Sequence, residues 1–217
     1  MAEIRVIIAD DDPLVRLALA HLVTRDGDVR VIGEADDGQQ TLDLIEKDQP
    51  DVVMMDIQMP VLDGIEATEA ITKRWPDIRV LAVTTLDSRE TVLPMLAAGA
   101  AGYMLKDSSA EAITDALRQV HAGESSLSPQ ITALLVQHVR ASSVVPPTGD
   151  LPQLTDRESQ VLHQLSLGMS NSEMAESLNV SEGTIKAHLG SIMSKWNVRD
   201  RVQVLVAAAR AGLVDFS

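Results

Sequence analysis

The sequence predicts two units of different fold class. Residues 1–122 read as a doubly wound α/β domain with a five-stranded parallel sheet, and residues 151–217 as a small all-α domain of four helices containing a helix-turn-helix. Three observations carry this. Five short apolar runs recur about two dozen residues apart in the first half, with helix-length segments between them. Alternation of that kind gives a parallel sheet covered on both faces. After Leu154 the strand-like runs stop and only capped helical patterns remain. Between the two rhythms, Ala141–Pro152 (ASSVVPPTGDLP) is rich in Ser, Pro and Gly and reads as a linker. The connecting segment is set at 123–150, with a candidate amphipathic helix at Pro129–Arg140.

The five runs are Arg5–Ala9 (RVIIA), Val29–Ala35 (VRVIGEA), Val52–Met55 (VVMM), Arg79–Thr84 (RVLAVT) and Gly102–Lys106 (GYMLK). Between the first two, Asp12-Pro13 reads as an N-cap with proline at the first helical position, followed by Leu14, Leu17, Leu19 and Leu22 at helical spacing. Ser108 with Glu111 reads as a capping box for the last helix of this half. In the second half, Thr155 with Glu158 and Ser170 with Glu173 are two further capping boxes, and Gly168 stops the helix between them. Met169 and Met174 occupy staple positions around the second box. Asn179-Val180 interrupts the pattern, Ser181 caps a third helix through about Trp196 with Val180 and Ile185 as its staple, and Asp200 caps a fourth through Ala209.

Composition excludes several classes. At 45% hydrophobic residues the 217-residue chain has enough apolar material for real cores, so it is not disordered. The absence of cysteine removes disulfides and thiolate metal sites and fits a reducing compartment. The start, MAEIRVIIADDD, lacks the basic opening and long apolar region of a signal peptide, and no apolar stretch is long enough for a membrane span, so a cytoplasmic location is expected. Net charge is −14, concentrated in residues 1–150 with 25 acidic and 12 basic side chains, against 7 and 6 in 151–217. Bulk charge therefore neither supports nor excludes a nucleic-acid partner for the second half.

In an open parallel sheet ligands bind beyond the carboxyl ends of the strands. Asp10 and Asp11 fall there after strand 1, Asp56 after strand 3, Thr84 at strand 4 and Lys106 at strand 5. Three carboxylates so placed repel one another and call for a cation. All-oxygen ligation suits Mg²⁺ or Mn²⁺. Lys106 adds a fixed charge and Thr84 a hydroxyl.

The segments IIADDDP, VVMMDIQMPVLDG, VLAVTT and AGYMLKD, in this order and spacing across about 120 residues, resemble the receiver domain of bacterial two-component response regulators. The resemblance implies a flavodoxin-like strand order and makes Asp56 the phosphoacceptor. It implies Mg²⁺ held by Asp11, Asp56 and the Gln58 backbone carbonyl, with Asp10 acting through water. Thr84 and Lys106 would contact phosphoryl oxygens, and Tyr103 would be the aromatic that reorients. A rival is a haloacid-dehalogenase-type phosphohydrolase, which also uses a strand-end aspartate with Mg²⁺, Thr or Ser, and Lys. Such enzymes usually carry a second aspartate two residues after the nucleophile as general acid and base. Gln58 occupies that position here and cannot exchange a proton. A phosphoryl switch that discharges slowly is expected, not an enzyme of rapid turnover. A receiver that serves only as a protein-interaction module is the third reading.

In the second half, Asn171–Leu178, the break, and Ser181–Trp196 make a helix-turn-helix pattern whose second helix would enter a major groove. Its outward candidates are Glu182, Thr184, Lys186, Ala187, His188 and Ser191; Lys195, Arg199 and Arg201 could meet phosphates. The pattern alone equally fits an ordinary helical bundle. LTDRESQVLHQLSLGMSNSEMAESLNVSEGTIKAHLGSIMSKW together with RDRVQVLVAAARAGLV resembles a LuxR-type DNA-binding domain of the NarL/FixJ kind. That resemblance implies that Lys186 and Ala187 face the groove and that Thr184 and His188 lie near the backbone. Three residues depart from the family pattern: Gly183, Gly190, where relatives often carry a polar or basic contact, and Trp196, where an aliphatic residue is more usual. The last helix (Val202, Leu205, Val206, Ala208, Ala209) is apolar on more than one face, which suits either core packing or a dimer contact. The histidines at 21, 121, 138 and 163 read as structural. The expected protein is a response regulator with a sensor histidine kinase as donor, promoter DNA with paired half-sites as target, and a homodimer as its phosphorylated form.

Overall fold

A computed structural model of the chain describes residues 3–85, 89–124, 126–127 and 151–214. It divides into two compact units, 1–126 and 127–217. The expected helix at Pro129–Arg140, with His138 and most of the linker, lies outside the described residues.

The first unit alternates strands and helices: β1 (Ile4–Ala9), α1 (Pro13–Val23), β2 (Val29–Ala35), α2 (Gly38–Lys47), β3 (Val52–Met55), α3 (Gly64–Arg74), β4 (Arg79–Thr84), α4 (Arg89–Ala97), β5 (Gly102–Leu105) and α5 (Ala110–His121). The strands are all parallel, in the order β2-β1-β3-β4-β5. Both faces are buried, as continuous apolar strands require. Val6, Ile8, Val52, Met54, Leu81 and Val83 pack with Leu19 and Val23 of α1 and Ile113, Leu117 and Val120 of α5. The alternate residues Ile7, Val53, Met55, Val80 and Ala82 are just as buried on the other face. Fully burying each such large side chain stabilises the fold by roughly 1.5–3 kcal/mol.

One expectation for this unit is refined and one corrected. In α1, Leu14 and Leu17 are 74% and 66% exposed; the face that meets the core is Leu19 and Val23, with Val15, Ala20 and Leu22. The leucine spacing marks the helix, and only part of that set faces the core. The cap of α5 is Ser109, whose hydroxyl accepts from the Ala112 N–H, and not Ser108. The Ser108 N–H is already bonded to the Leu105 carbonyl, so the helix opens one residue later than the Ser108–Glu111 pattern suggests.

Past α5 the chain returns to the open edge of β5. Ser126 pairs with Gly102, and its carbonyl accepts the Tyr103 N–H at 3.0 Å.

The second unit contains α6 (Asp156–Ser166), α7 (Asn171–Leu178), α8 (Glu182–Trp196) and α9 (Arg201–Arg210). Both expected capping boxes form, at Thr155/Glu158 and Ser170/Glu173. Gly168 follows α6 at φ +79°, a left-handed conformation that favours glycine. Asn179 and Asn197 end α7 and α8 in the same region, which asparagine tolerates. Val202, Val204, Leu205, Val206 and Ala208 of α9 are all buried within the unit, so these apolar residues serve its core. Trp196 is buried too, and its indole N–H donates to the Pro152 carbonyl at 3.0 Å, a use no aliphatic residue could fill.

Candidate functional site

The polar residues expected at the strand ends do converge. The sheet ladder runs one residue beyond each strand: the Asp10 N–H donates to Ala35, the Asp56 N–H to Ala9 and the Lys106 N–H to Thr84. This fixes three charged residues on rigid backbone at one edge. Lys106 Nζ lies 2.6 Å from Asp10 Oδ2 and 3.1 Å from Asp56 Oδ2. Carboxylate oxygens of Asp10, Asp11 and Asp56 all lie within 4.8 Å of one another. Asp10, Asp56 and Thr84 are buried, Lys106 half-buried and Asp11 exposed. Tyr103 is buried on β5.

Gly64 explains how Asp56 is reached so closely. A Cβ at Gly64 would lie 1.9 Å from the Asp56 carbonyl oxygen, so only glycine lets the start of α3 abut that strand end. The Gly64 N–H donates to Ile57, and Asp63 caps α3 through the Glu66 N–H. Gln58 is exposed and lines a shallow cleft with Asp11, Met59, Pro60, Asp63 and Thr91.

The electrostatics are unbalanced. Burial pushes the Asp10 carboxyl above its usual range, and the hydrogen bond and charge of Lys106 with the Asp12 N–H only partly oppose this. Burial also pulls Lys106 down, but Asp10 and Asp56 together outweigh it, so the ammonium is held above its usual range. One lysine faces three carboxylates. Asp10 Oδ2 is a fully buried carboxylate oxygen whose neighbour is the Lys106 ammonium at 2.6 Å. An oxygen-rich, over-acidic cluster with such an atom and no cysteine or histidine fits a hard divalent cation such as Mg²⁺.

In the second unit, α8 turns Lys186 and Ala187 outward, while Thr184 and His188 are half-buried. The Thr184 hydroxyl lies 2.9 Å from that of Ser181, the cap. The other expected contacts have partners within this unit. Ser191 and Lys195 reach Glu158 of α6, at 2.6 and 2.5 Å, so both are occupied in fastening α8 to α6. Arg199 donates to Asp200 at 3.1 Å, and Arg201 is buried with a guanidinium donating to the Met169 carbonyl. A Cβ at Gly190 would meet nothing within 4 Å.

Sequence reasoning missed Arg16 and Glu158 as organisers. Arg16 donates to the Asp10 main-chain carbonyl at 2.5 Å. Glu158 was legible as half of a capping box, but its ties to α8 span more than thirty residues and leave no local signature. His21, His121 and His163 are exposed on their helices.

Comparison with known proteins agrees with this arrangement. Residues 6–118 match the family model of the response regulator receiver domain, and residues 152–208 that of bacterial regulatory proteins of the luxR family. The chain belongs to the response regulators. It is 38% identical to the transcriptional regulatory protein LnrK of Bacillus subtilis (strain 168), covering 98% of this chain and 100% of that protein. Identity to LiaR of the same organism is 37%, with 98% and 100% covered. Among solved structures, the response regulator ChrA of a heme-sensing two-component system is 36% identical, with a TM-score of 0.54 over 98% of this chain and 100% of that one. The response regulator studied here thus pairs a receiver domain with a LuxR-type DNA-binding domain. Among its described residues no helix is long and apolar enough to cross a membrane.

Proposed function

We propose that this response regulator is a cytoplasmic phosphoryl switch for transcription, charged at Asp56 by a sensor histidine kinase. The observation that carries the reading is the meeting of Asp10, Asp11 and Asp56 around Lys106 at one sheet edge. Asp11, Asp56 and the Gln58 carbonyl would hold Mg²⁺, with Asp10 acting through water. An ion held by these residues would supply positive charge to offset that on the transferring phosphoryl oxygens. An Asp56 carboxylate oxygen attacks phosphorus as the bond from phosphorus to the donor imidazole breaks, and the imidazole leaves neutral after protonation. Lys106 offsets the charge gained on Asp56, and the Thr84 hydroxyl donates to a phosphoryl oxygen. Tyr103 responds on the neighbouring strand, and the surface near α4 and β5 repacks. Gln58 supplies no general acid or base, so the phosphoryl group is held and not rapidly turned over. The charged form pairs as a homodimer, and its LuxR-type domains bind paired half-sites.

A small-molecule phosphodonor with Mg²⁺ tests this. Stable modification of the wild type and none of Asp56→Ala is expected; rapid release of phosphate over many turnovers would instead make the protein a phosphohydrolase. No modification and no Mg²⁺ binding would leave a protein-interaction module. On the DNA side, Lys186 and Ala187 are proposed to face the groove, with Thr184 and His188 near the backbone. Lys186→Ala should weaken promoter binding in footprints, and unchanged protection across a salt series removes it from the contact set.

A further inference from the structure

Arg16 sits in the second turn of α1, and its side chain, 17% exposed, folds back toward the cluster. It does not pair with Asp10, Asp11 or Asp56. Nη1 instead donates to the main-chain carbonyl of Asp10 at 2.5 Å, and Nε lies 3.7 Å from Glu34 Oε2 on β2. That carbonyl lies just past the end of β1 and belongs to the peptide joining Asp10 to Asp11. Because a peptide unit is planar, fixing its oxygen also fixes the direction in which Asp11 leaves the strand. The other polar atoms of Asp10 are already placed. Its N–H meets Ala35, Oδ1 accepts from the Asp12 N–H at 3.0 Å, and Oδ2 faces Lys106. Asp11 makes no side-chain hydrogen bond among the described residues, so the backbone is what aims it.

We propose that Arg16 is a positioning residue for the carboxylate cluster: held by Glu34, its guanidinium clamps the Asp10–Asp11 peptide so that both carboxylates address one cation. This rests on reading the cluster as a divalent-cation site. The planar fork suits the task, because it can reach a carbonyl and a carboxylate together while leaving the cluster's oxygens to the ion. A lysine could make one of those contacts but not hold both.

The test is Mn²⁺ binding to the full chain, followed by paramagnetic resonance, beside thermal unfolding in metal-free buffer. Arg16→Met keeps the apolar stem and removes the fork. It should weaken Mn²⁺ binding about tenfold, the lower end of what loss of an outer support costs a metal site, with metal-free unfolding unchanged. Arg16→Lys should recover part of the loss. If Arg16→Met binds as wild type does while Asp11→Asn loses the ion, the positioning role is overturned and the cation site stands. If the wild type binds no Mn²⁺, the cation site itself is wrong and the inference falls with it. Should Arg16→Met melt early, Glu34→Gln decides: a loss of about twofold to threefold supports the clamp, being milder than loss of the fork itself, and unchanged affinity overturns it.

Discussion

The two units each bury a carboxylate against a lysine, and they do so in opposite ways. In the second unit, Glu158 accepts from the Thr155 N–H at 2.7 Å, the Thr155 hydroxyl at 3.0 Å, Ser191 at 2.6 Å and Lys195 at 2.5 Å. Hydrogen bonds from Lys195, Ser191 and Thr155 pull its pKa down to about 2. In the first unit, Asp10 shares one lysine with Asp56, lies beside Asp11 as well, and is pushed up by burial. A satisfied carboxylate fastens a fold. A cluster with more acid than its partners can balance waits for a ligand.

The contrast can be broken at several points. The largest effect is expected at Asp56: Asp56→Ala should abolish modification by a phosphodonor entirely, read by intact mass, with the melting temperature kept or raised. Next is Glu158→Ala, which strands Lys195 and opens the α6 cap. It should cost about 2–3 kcal/mol in denaturant unfolding of the second unit, less than for a fully buried pair because Lys195 is one-third exposed. The same residue sets a pH dependence. Its folded pKa lies below the ordinary 4.5, so its contribution is complete above about pH 4.5 and is lost as pH falls toward 2. Acid titration of the wild type should show that slope, and Glu158→Gln should flatten it.

The first unit should behave inversely. Asp10→Asn relieves like-charge repulsion and should raise metal-free stability by about 1 kcal/mol while weakening Mg²⁺ binding. A gain in Mg²⁺ affinity would show that the cluster is not built for a cation. The smallest effect is at Gly190. With open space where its Cβ would stand, Gly190→Ala should stabilise α8 by up to about 1 kcal/mol without altering the fold, seen as a shift in midpoint at constant slope.

How much of this was legible follows from the range of each interaction. Val52–Met55 and Arg79–Thr84 form strands with the bounds their apolar runs suggested, because buried parallel strands write themselves as near-continuous apolar runs; Val29–Ala35, an edge strand with Arg30 and Glu34 exposed, also keeps its bounds. Thr155/Glu158 and Ser170/Glu173 were legible because both partners lie within four residues. Convergence of Asp10, Asp56, Thr84 and Lys106 followed from topology alone, since every parallel strand ends at the same edge. What was not legible was long-range. Ser191 read as an outward candidate and Lys195 as a phosphate contact, and nothing local names Glu158 as the partner of both. The Ser108–Glu111 spacing fits a capping box, but the Ser108 N–H is bonded to Leu105 and Ser109 takes the cap. Leu14 and Leu17 show that an apolar residue at helical spacing need not face inward.

The return of the chain to β5 has a consequence for measurement. The Tyr103 amide is bonded to Ser126, the residue where the compact unit ends, and not to a neighbouring strand. Its protection against hydrogen–deuterium exchange therefore depends on whether the segment after α5 stays docked, while amides bonded between β4 and β5 depend on the sheet. One backbone proton, read beside those neighbours, can time when the chain leading to the DNA-binding unit lets go of the receiver.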